Sequence, residues 1–264
     1  NKKHIFGRGK HCRMKILCID MGNTRTHCAV VENENVDQFR ELPTKNFGAK
    51  FSEYFANLSA VDGIAWCSVV PKEAGILQSA LETCGKKALR LCYKNCPIKI
   101  DLKNPAEVGD DRLADAIGAA RFFKPPYICV DMGTAITIDL VDKSGSYAGG
   151  AIAPGLHAFT LYLHEKTALL PKIDPQNADY SVSVGKSTVE AMSVGCVKGL
   201  CRLIDGIIND IQAEFFDGQN AEQKTVFTGG SLSLLPKKWL ALRRRECHLA
   251  LLGLHDFYIT KIQG

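Results

Sequence analysis

The 264-residue chain contains no apolar run close to the roughly 18–20 residues that a membrane helix requires. It also contains no low-complexity stretch and no linker rich in glycine, proline or serine. The first absence argues against a membrane-spanning protein. With 46% hydrophobic and 23% charged residues, the composition is typical of a globular α/β chain with one large domain or two lobes.

Cysteine is abundant, at 11 residues, but no two cysteines form a Cys-x-x-Cys pair. Cys92 and Cys96 are close in sequence, yet no nearby histidine or second cysteine pair completes a zinc site. Cys18 and Cys129 lie inside apolar runs, where a free thiol behaves as a small hydrophobic group. We therefore expect reduced core thiols in a cytoplasmic protein, with no metal bound through cysteine.

Acidic residues are missing from the first 13 positions, which hold five basic residues. The formal net charge of +5 comes from this segment, because basic and acidic residues are equal in number in the remainder. The main body thus lacks the basic surface of a nucleic-acid-binding protein. We expect residues 1–13 to be a basic tail outside the fold, either a tag remnant or an upstream mis-start, with a targeting arm as the alternative.

One short pattern occurs twice. Residues 19–26 read Ile-Asp-Met-Gly-Asn-Thr-Arg-Thr, and residues 130–137 read Val-Asp-Met-Gly-Thr-Ala-Ile-Thr. In each copy an apolar run leads to Asp and Gly, and a second apolar run follows, which predicts a β-hairpin with a tight turn. A single such turn is often only structural, but the repetition indicates duplicated halves. A carboxylate beside an amide-rich turn suits a nucleotide phosphate and a cation.

The remaining periodicity predicts a two-lobed α/β protein, with lobes at residues 14–125 and 126–264 separated at Pro125–Pro126. Ser187-Thr188-Val189-Glu190 matches a capping box ahead of a long amphipathic helix that runs toward Phe216. Predicted strands lie at 15–20, 27–32, 63–69, 88–92 and 225–228, with a hairpin at 127–141 and a strand and turn at 149–155. Predicted helices lie at 46–58, at 71–84 and after Pro105.

The segment Gly109-Asp110-Asp111-Arg112 lies near the start of a predicted helix. Its carboxylates are either a solvated cap that complements the helix dipole or a general base beside an arginine that binds phosphate. Glycine-rich turns at residues 149–155 and 228–231 would allow a ligand to approach the backbone closely, although each alone is weak evidence.

Together these motifs resemble those of type III pantothenate kinases, a branch of the acetate kinase, sugar kinase, Hsp70 and actin superfamily. The resemblance extends from Met14 to the C-terminus and rests on six motifs in the same order. They are Asp20–Thr24, Gly109–Arg112, Asp131–Ala135 with Thr137, Gly149–Gly155 with Thr167–Pro171, Gly185–Thr188, and Thr228–Gly230.

The resemblance implies two RNase H-like, actin-like ATPase lobes that arose by duplication, with a nucleotide cleft between them. It implies ATP-dependent phosphorylation of the pantothenate 4′-hydroxyl, the first step of coenzyme A biosynthesis, by a cytoplasmic homodimer that binds neither nucleic acid nor membrane. Gly195 and Gly199, on one face of the long predicted helix, would pack at the dimer interface.

The resemblance also assigns roles to individual residues. Asp111 would be the catalytic base, Asp131 would bind K⁺ or NH₄⁺, and Asp20 would bind Mg²⁺ directly or through water. The positions that match pantothenate contacts are Gly109, Asp110, Asp111, Arg112 and Thr188. The positions that match ATP contacts are Asp20, Met21, Gly22, Asn23, Thr24, Arg25, Thr26, His27 and Thr134.

The chain departs from the family pattern at two positions. Leu102 replaces a tyrosine that often contacts pantothenate, and the lost hydrogen bond would cost about 1 kcal/mol. Asp110 replaces a small residue, and its carboxylate would raise the pKa of the neighbouring base. The alternatives are a non-catalytic transcription accessory factor and another kinase or phosphatase of the superfamily, but the presence of Asp20, Asp111, Arg112 and Asp131 favours the pantothenate kinase.

Overall fold

The structure is a computed structural model that describes residues 14–177 and 181–263. The predicted basic tail, residues 1–13, lies outside the described residues. The described chain divides into two compact units. The first unit comprises residues 14–124 and 248–263, and the second comprises residues 125–247.

The first unit begins as a five-stranded mixed sheet. Its strands are β1 (Ile16–Met21), β2 (Arg25–Glu32), β3 (Asn35–Pro43), β4 (Gly63–Ser68) and β5 (Ala88–Arg90). They lie in the order β3-β2-β1-β4-β5, with β1 antiparallel to β2 and parallel to β4. The helices up to residue 124 are α1 (Phe51–Tyr54), α2 (Pro71–Glu82), a 3₁₀ turn at Pro105–Glu107, and α3 (Asp110–Ala119). Leu17 and Ile19 of β1 and Trp66 of β4 pack with Leu77 of α2 in the apolar core on one side of the sheet.

The second unit contains another five-stranded mixed sheet. Its strands are β6 (Tyr127–Met132), β7 (Ala135–Val141), β8 (Tyr147–Pro154), β9 (Thr225–Thr228) and β10 (Arg244–Arg245), in the order β10-β9-β6-β7-β8. Its helices are α4 (Leu156–Lys166), α5 (Thr188–Ser193), a π-helical turn (Val194–Lys198), α6 (Gly199–Phe215) and α7 (Lys237–Leu240), with 3₁₀ turns at Pro175–Asn177, Glu222–Lys224 and Gly230–Leu234. Val130 and Ile138 of the sheet pack with Leu200 and Ile204 of α6 in the core of this unit.

The two sheets have the same topology, which confirms the predicted pair of actin-like lobes. In each sheet the first strand pairs antiparallel with the next strand and parallel with a later one. Asp20 and Asp131 occupy the fifth position of six-residue strands with the same pattern of burial. The turns differ by one residue, because Asp20 lies opposite His27 whereas Asp131 lies opposite Thr137. Thr26, which the sequence repeat aligns with Thr137, therefore lies opposite Met21 instead.

The C-terminal helix α8 (Leu249–Gln263) belongs to the first unit, although the sequence analysis placed residues 126–264 together in the second lobe. It packs against α3 and against the first sheet, so apolar residues occur on several of its faces. The sequence of α8 therefore shows no amphipathic periodicity. Arg121, just after α3, donates two hydrogen bonds to the carboxylate of Asp256 at 2.6 and 2.7 Å. Neither α8 nor any other helix in residues 14–177 and 181–263 is long and apolar enough to span a membrane.

Other elements differ from the sequence expectation for local reasons. The helix predicted at residues 46–58 is reduced to α1. Asn46 has a left-handed φ of 65°, and residues 45–50, which precede α1, form turns. Strand β3 was not predicted, because it is an edge strand with mostly exposed, polar residues. The long helix predicted from Ser187 is present, but the π-helical turn interrupts it between α5 and α6.

The crossing of α3 and α8 depends on two glycines. A Cβ at Gly253 would overlap the carbonyl oxygen of Ala114, and a Cβ at Gly118 would overlap that of Leu249. We therefore expect Gly253→Ala to separate the helices and destabilise the protein by about 1–3 kcal/mol. Thermal and urea unfolding followed by circular dichroism would measure this loss.

Gly75→Ala is the matched control. Gly75 lies in α2 of the same unit with open space around its Cβ position, so alanine should stabilise the helix by about 0.5–1 kcal/mol. Equal effects of the two alanine substitutions would contradict the close helix crossing.

Candidate active site

The first Asp-Met-Gly turn connects β1 to β2 and is held from within the unit. The Gly22 N–H donates to the Arg25 carbonyl at 3.0 Å. The Thr44 hydroxyl donates to the Gly22 carbonyl at 2.7 Å and lies 3.0 Å from the Thr26 hydroxyl. Of the predicted ATP contacts, Met21 and Thr26 are fully buried and support the turn, whereas Asn23, Thr24 and Arg25 are exposed at its tip.

Asp20 lies in a row of polar side chains that crosses four neighbouring strands. His27 on β2 approaches it, with Nδ1 3.9 Å from Oδ2, and His27 Nε2 is 3.7 Å from the Glu41 carboxylate on β3. On the other side Cys67 of β4 donates its thiol hydrogen to Oδ1 at a Sγ–O distance of 3.3 Å. The Asp20 side chain is 16% exposed. The two oxygens of this carboxylate therefore have different neighbours.

Asp110 is the first residue of α3, and its side chain is engaged inside the unit. Arg90 of β5 donates to its carboxylate at 3.2 Å and stacks over the Trp66 ring, while the Ser68 N–H donates a further hydrogen bond. Burial raises the pKa of Asp110, and the hydrogen bond and charge of Arg90 oppose that rise. The structure thus brings this predicted substrate contact to the end of β4, where it anchors the start of α3.

Asp111 follows in the first turn of α3 and lies beside Gly109. A Cβ at Gly109 would overlap Oδ1 of Asp111, so a side chain at this position would displace that carboxylate. The Arg112 N–H donates to Asp111 Oδ1 at 2.8 Å. Burial, followed by the charges of Asp20, Asp111 and Asp110, raises the pKa of the Cys67 thiol. Carboxylates from two distant motifs therefore raise the pKa of the same buried thiol, and the carboxylate of Asp20 contacts it directly.

The second Asp-Met-Gly turn has its own supports in the second unit. Gly229 has a φ of 96°, and a Cβ there would overlap the Asp131 carboxylate. The Gly155 N–H donates to the Thr134 carbonyl at 3.1 Å, so the glycine-rich segment after β8 packs on this turn. Thr134, a predicted ATP contact, is exposed. The carbonyl oxygens of Gly133 and Thr134, in the same turn, lie against Gly155.

Thr188 is exposed in the first turn of α5, where the N-cap half of the predicted capping box is present and the Glu190 side chain bonds one residue earlier than a capping box requires. The Glu190 N–H donates to Ser187 Oγ at 3.2 Å, and the Lys186 N–H donates to the Glu190 carboxylate at 2.6 Å. Thr188 also lines an apolar groove of about 840 Å³ in the second unit. The other residues lining this groove include His157, Tyr162, Leu163, Met192 and Gly195.

The sequence analysis missed Cys67, Ser68 and Arg90, which contact the predicted carboxylates. The sequence placed Cys67 in a predicted strand, but an apolar run does not show which other strand will pair with that strand. Within residues 14–177 and 181–263, no cluster of three or more His, Cys, Asp or Glu side chains could hold a metal ion. A divalent cation at Asp20 would therefore need phosphate oxygens and water as further ligands, which is the usual arrangement for Mg²⁺.

Solved structures place the fold in a known class. The chain is similar to a ROK hexokinase of Thermus thermophilus, with a TM-score of 0.55 and 13% identity over 93% of this chain and 99% of the hexokinase. It is also similar to a conserved Campylobacter jejuni protein assigned to the Baf family of transcriptional activators, with a TM-score of 0.64 and 19% identity over 94% and 100% of the two chains. At these identities the similarity shows the fold alone, which is the actin-like ATPase fold of the sugar kinases.

Sequence comparisons identify the family within this class. The type III pantothenate kinase model matches residues 16–210. A type III pantothenate kinase of Persephonella marina is 36% identical over 255 residues, which cover 92% of this chain and 98% of the relative. One of Akkermansia muciniphila is 37% identical over 227 residues, which cover 85% and 90%. The chain belongs to the type III pantothenate kinase family.

The Arg90–Asp110 pair predicts a pH-dependent stability difference. Arg90→Gln leaves a buried carboxylate without its cation, and we expect a loss of about 1–2 kcal/mol at neutral pH, because Arg90 itself is partly exposed. Without Arg90 the pKa of Asp110 rises further. Protonation of the Asp110 carboxylate then removes the free-energy cost of burying an unpaired charge. The stability difference from the wild type should shrink as the pH falls through the pKa of Asp110.

Thermal unfolding of both proteins across the acidic range measures this effect. Lys143→Gln, which removes an exposed ion pair with Asp217, is the control and should change stability by less than about 0.5 kcal/mol. A deficit in Arg90→Gln that stays constant on acidification would show that Arg90 acts through its packing on Trp66 instead.

Proposed function

We propose that Asp111 is the general base in the ATP-dependent phosphorylation of pantothenate, the reaction that defines the family. The supporting observation is that the Asp20 carboxylate accepts the thiol hydrogen of Cys67 at the end of β4, while the charge of Asp111, in the first turn of α3, also raises the pKa of that thiol. Asp111 would accept the proton of the 4′-hydroxyl as its oxygen attacks the γ-phosphorus.

Asp20 and the first turn would hold the phosphate end of ATP. The exposed Asn23 and Thr24 offer side-chain hydrogen-bond donors, and Gly22 has no side chain to obstruct a phosphate group. Arg25 and His27 border the same turn. Asp20 would hold Mg²⁺ directly or through water, and the cation would offset the negative charge of the phosphate groups.

Asp131 and Thr134 would serve the nucleotide from the second unit. Asp131 would bind K⁺ or NH₄⁺, because a carboxylate beside a turn rich in carbonyl groups suits a monovalent cation. Gly229 leaves the space that this carboxylate occupies. Thr134 would contact the nucleotide through its exposed side chain.

Thr188 and Arg112 would bind pantothenate. Thr188 opens a capped helix and lines the apolar groove, which fits the aliphatic part of this substrate. Arg112 follows the proposed base directly and would orient the substrate. Asp110 would act by anchoring α3 rather than by contacting the substrate, since Arg90 and Ser68 already engage it. The family resemblance supports a homodimer, with the Gly195 and Gly199 segment at its interface.

The first test is the reaction of the purified chain with ATP, Mg²⁺ and pantothenate. We expect phosphopantothenate to form, with faster turnover in K⁺ or NH₄⁺ than in Na⁺, and Asp131→Ala to abolish that difference while other ions are held constant. Mass spectrometry of the product and a coupled ADP assay measure both effects. No product under any cation would contradict the kinase and support the non-catalytic accessory factor.

The second test is Asp111→Asn, which keeps the shape of the side chain and removes the base. Turnover should fall by roughly 10²–10⁴-fold, while the affinity for ATP stays close to that of the wild type. Glu107→Gln is the control, because Glu107 is an exposed carboxylate just before α3 whose loss should leave turnover unchanged. Near-normal turnover in Asp111→Asn would show that another group is the base.

A further inference from the structure

The Cys67 thiol is a buried hydrogen-bond donor to a carboxylate that the proposed function assigns to metal and phosphate binding. Cys67 is fully buried on β4, directly opposite Asp20 in the parallel pairing of β4 with β1. Its Sγ lies 3.3 Å from Asp20 Oδ1. We propose that Cys67 is a positioning residue, which holds Oδ1 of Asp20 so that Oδ2 is presented to the Mg²⁺–phosphate end of ATP. This role rests on the proposed function of Asp20.

The chemistry of the two groups sets the direction of this hydrogen bond. An ionised carboxylate can only accept, so the thiol of Cys67 is the donor to Oδ1 of Asp20. Cys67 is fully buried, so water cannot replace the thiol as the donor at this oxygen.

The two oxygens of Asp20 are distinguished by their neighbours. Oδ1 accepts from the thiol inside the sheet, whereas Oδ2 lies toward His27, whose side chain is 38% exposed. A carboxylate without the thiol could rotate about its terminal torsion, which has a broad energy minimum. One directed hydrogen bond removes this freedom before the cation binds.

Cys28 shows what a merely structural thiol looks like in the same sheet. It is also fully buried, but its Sγ lies 3.7 Å from a backbone carbonyl, that of Arg40, and it packs in the apolar core. Cys28→Ala thus removes a thiol of equal burial without touching a carboxylate. It is the matched control for Cys67→Ala.

Infrared spectroscopy tests the hydrogen bond without any ligand. The S–H stretching band of Cys67 is identified as the band that the wild type shows and Cys67→Ser lacks. It should lie at a lower frequency than the band of Cys28, which is identified in the same way from Cys28→Ala. The Cys67 band should move to higher frequency in Asp20→Ala, which removes the acceptor. A Cys67 band at the frequency of an unbonded thiol, or one unmoved by Asp20→Ala, would overturn the proposal.

Calorimetric titration of ATP binding against Mg²⁺ concentration, without pantothenate, tests the consequence. Cys67→Ala should require roughly five- to tenfold more Mg²⁺ for half-maximal binding, because it loses a directed donor to a charged group. Cys67→Ser restores a donor and should remain within about twofold of the wild type, as should Cys28→Ala. Circular dichroism and thermal unfolding would establish that each variant is folded.

The outcomes separate this role from the proposed function. If the wild type binds ATP with Mg²⁺ and Cys67→Ala shows the same Mg²⁺ requirement, the positioning role is overturned and the kinase assignment stands. If Cys67→Ser fails as badly as Cys67→Ala, the side chain acts by packing and the role is again overturned. If the wild type itself binds no ATP with Mg²⁺, the proposed function of Asp20 fails, and the cysteine role fails with it.

Discussion

The parallel pairing of β1 with β4 is the constraint on which the first unit's site depends. Parallel strands end at the same edge of a sheet, so this pairing brings Asp20 level with Cys67 and Met21 level with Ser68. The Ser68 N–H and Arg90, from the adjacent β5, then hold Asp110 at the start of α3. Asp111 follows one residue later. One strand register therefore connects two motifs that lie about 90 residues apart in the sequence.

The second unit repeats this constraint with different chemistry. Its β6 pairs in parallel with β9, and Asp131 lies opposite Thr228 as Asp20 lies opposite Cys67. Both copies thus have a buried residue with a small donor group across from the strand-end aspartate. The residues that follow these two donors differ. Ser68 follows Cys67, whereas Thr228 is followed by Gly229, whose left-handed φ and missing side chain make room for the Asp131 carboxylate. The duplicated scaffold has been kept while the surroundings of each aspartate have diverged.

The sequence revealed what is local and missed what is not. The two hairpins, the start of α3 and the cap of α5 were predictable because turn residues and helix caps act over a few positions. The polar edge strand β3 and the largely buried helix α8 carry no clear period, so their placement depends on the neighbours that cover them. The contact between Cys67 and Asp20 could not be predicted for the same reason, because it depends on which strand pairs with β4.

Asp110 and Asp20 of the first unit differ in the groups that balance their charge. Asp110 is buried and is paired with the full positive charge of Arg90, which suits an anchor. The donor to Asp20 Oδ1 is neutral, and a neutral donor fixes orientation without adding positive charge. A positively charged side chain at position 67 would compete for the carboxylate with the Mg²⁺ that we propose Asp20 to bind. A buried neutral thiol therefore suits the proposed role of Asp20 as a cation ligand.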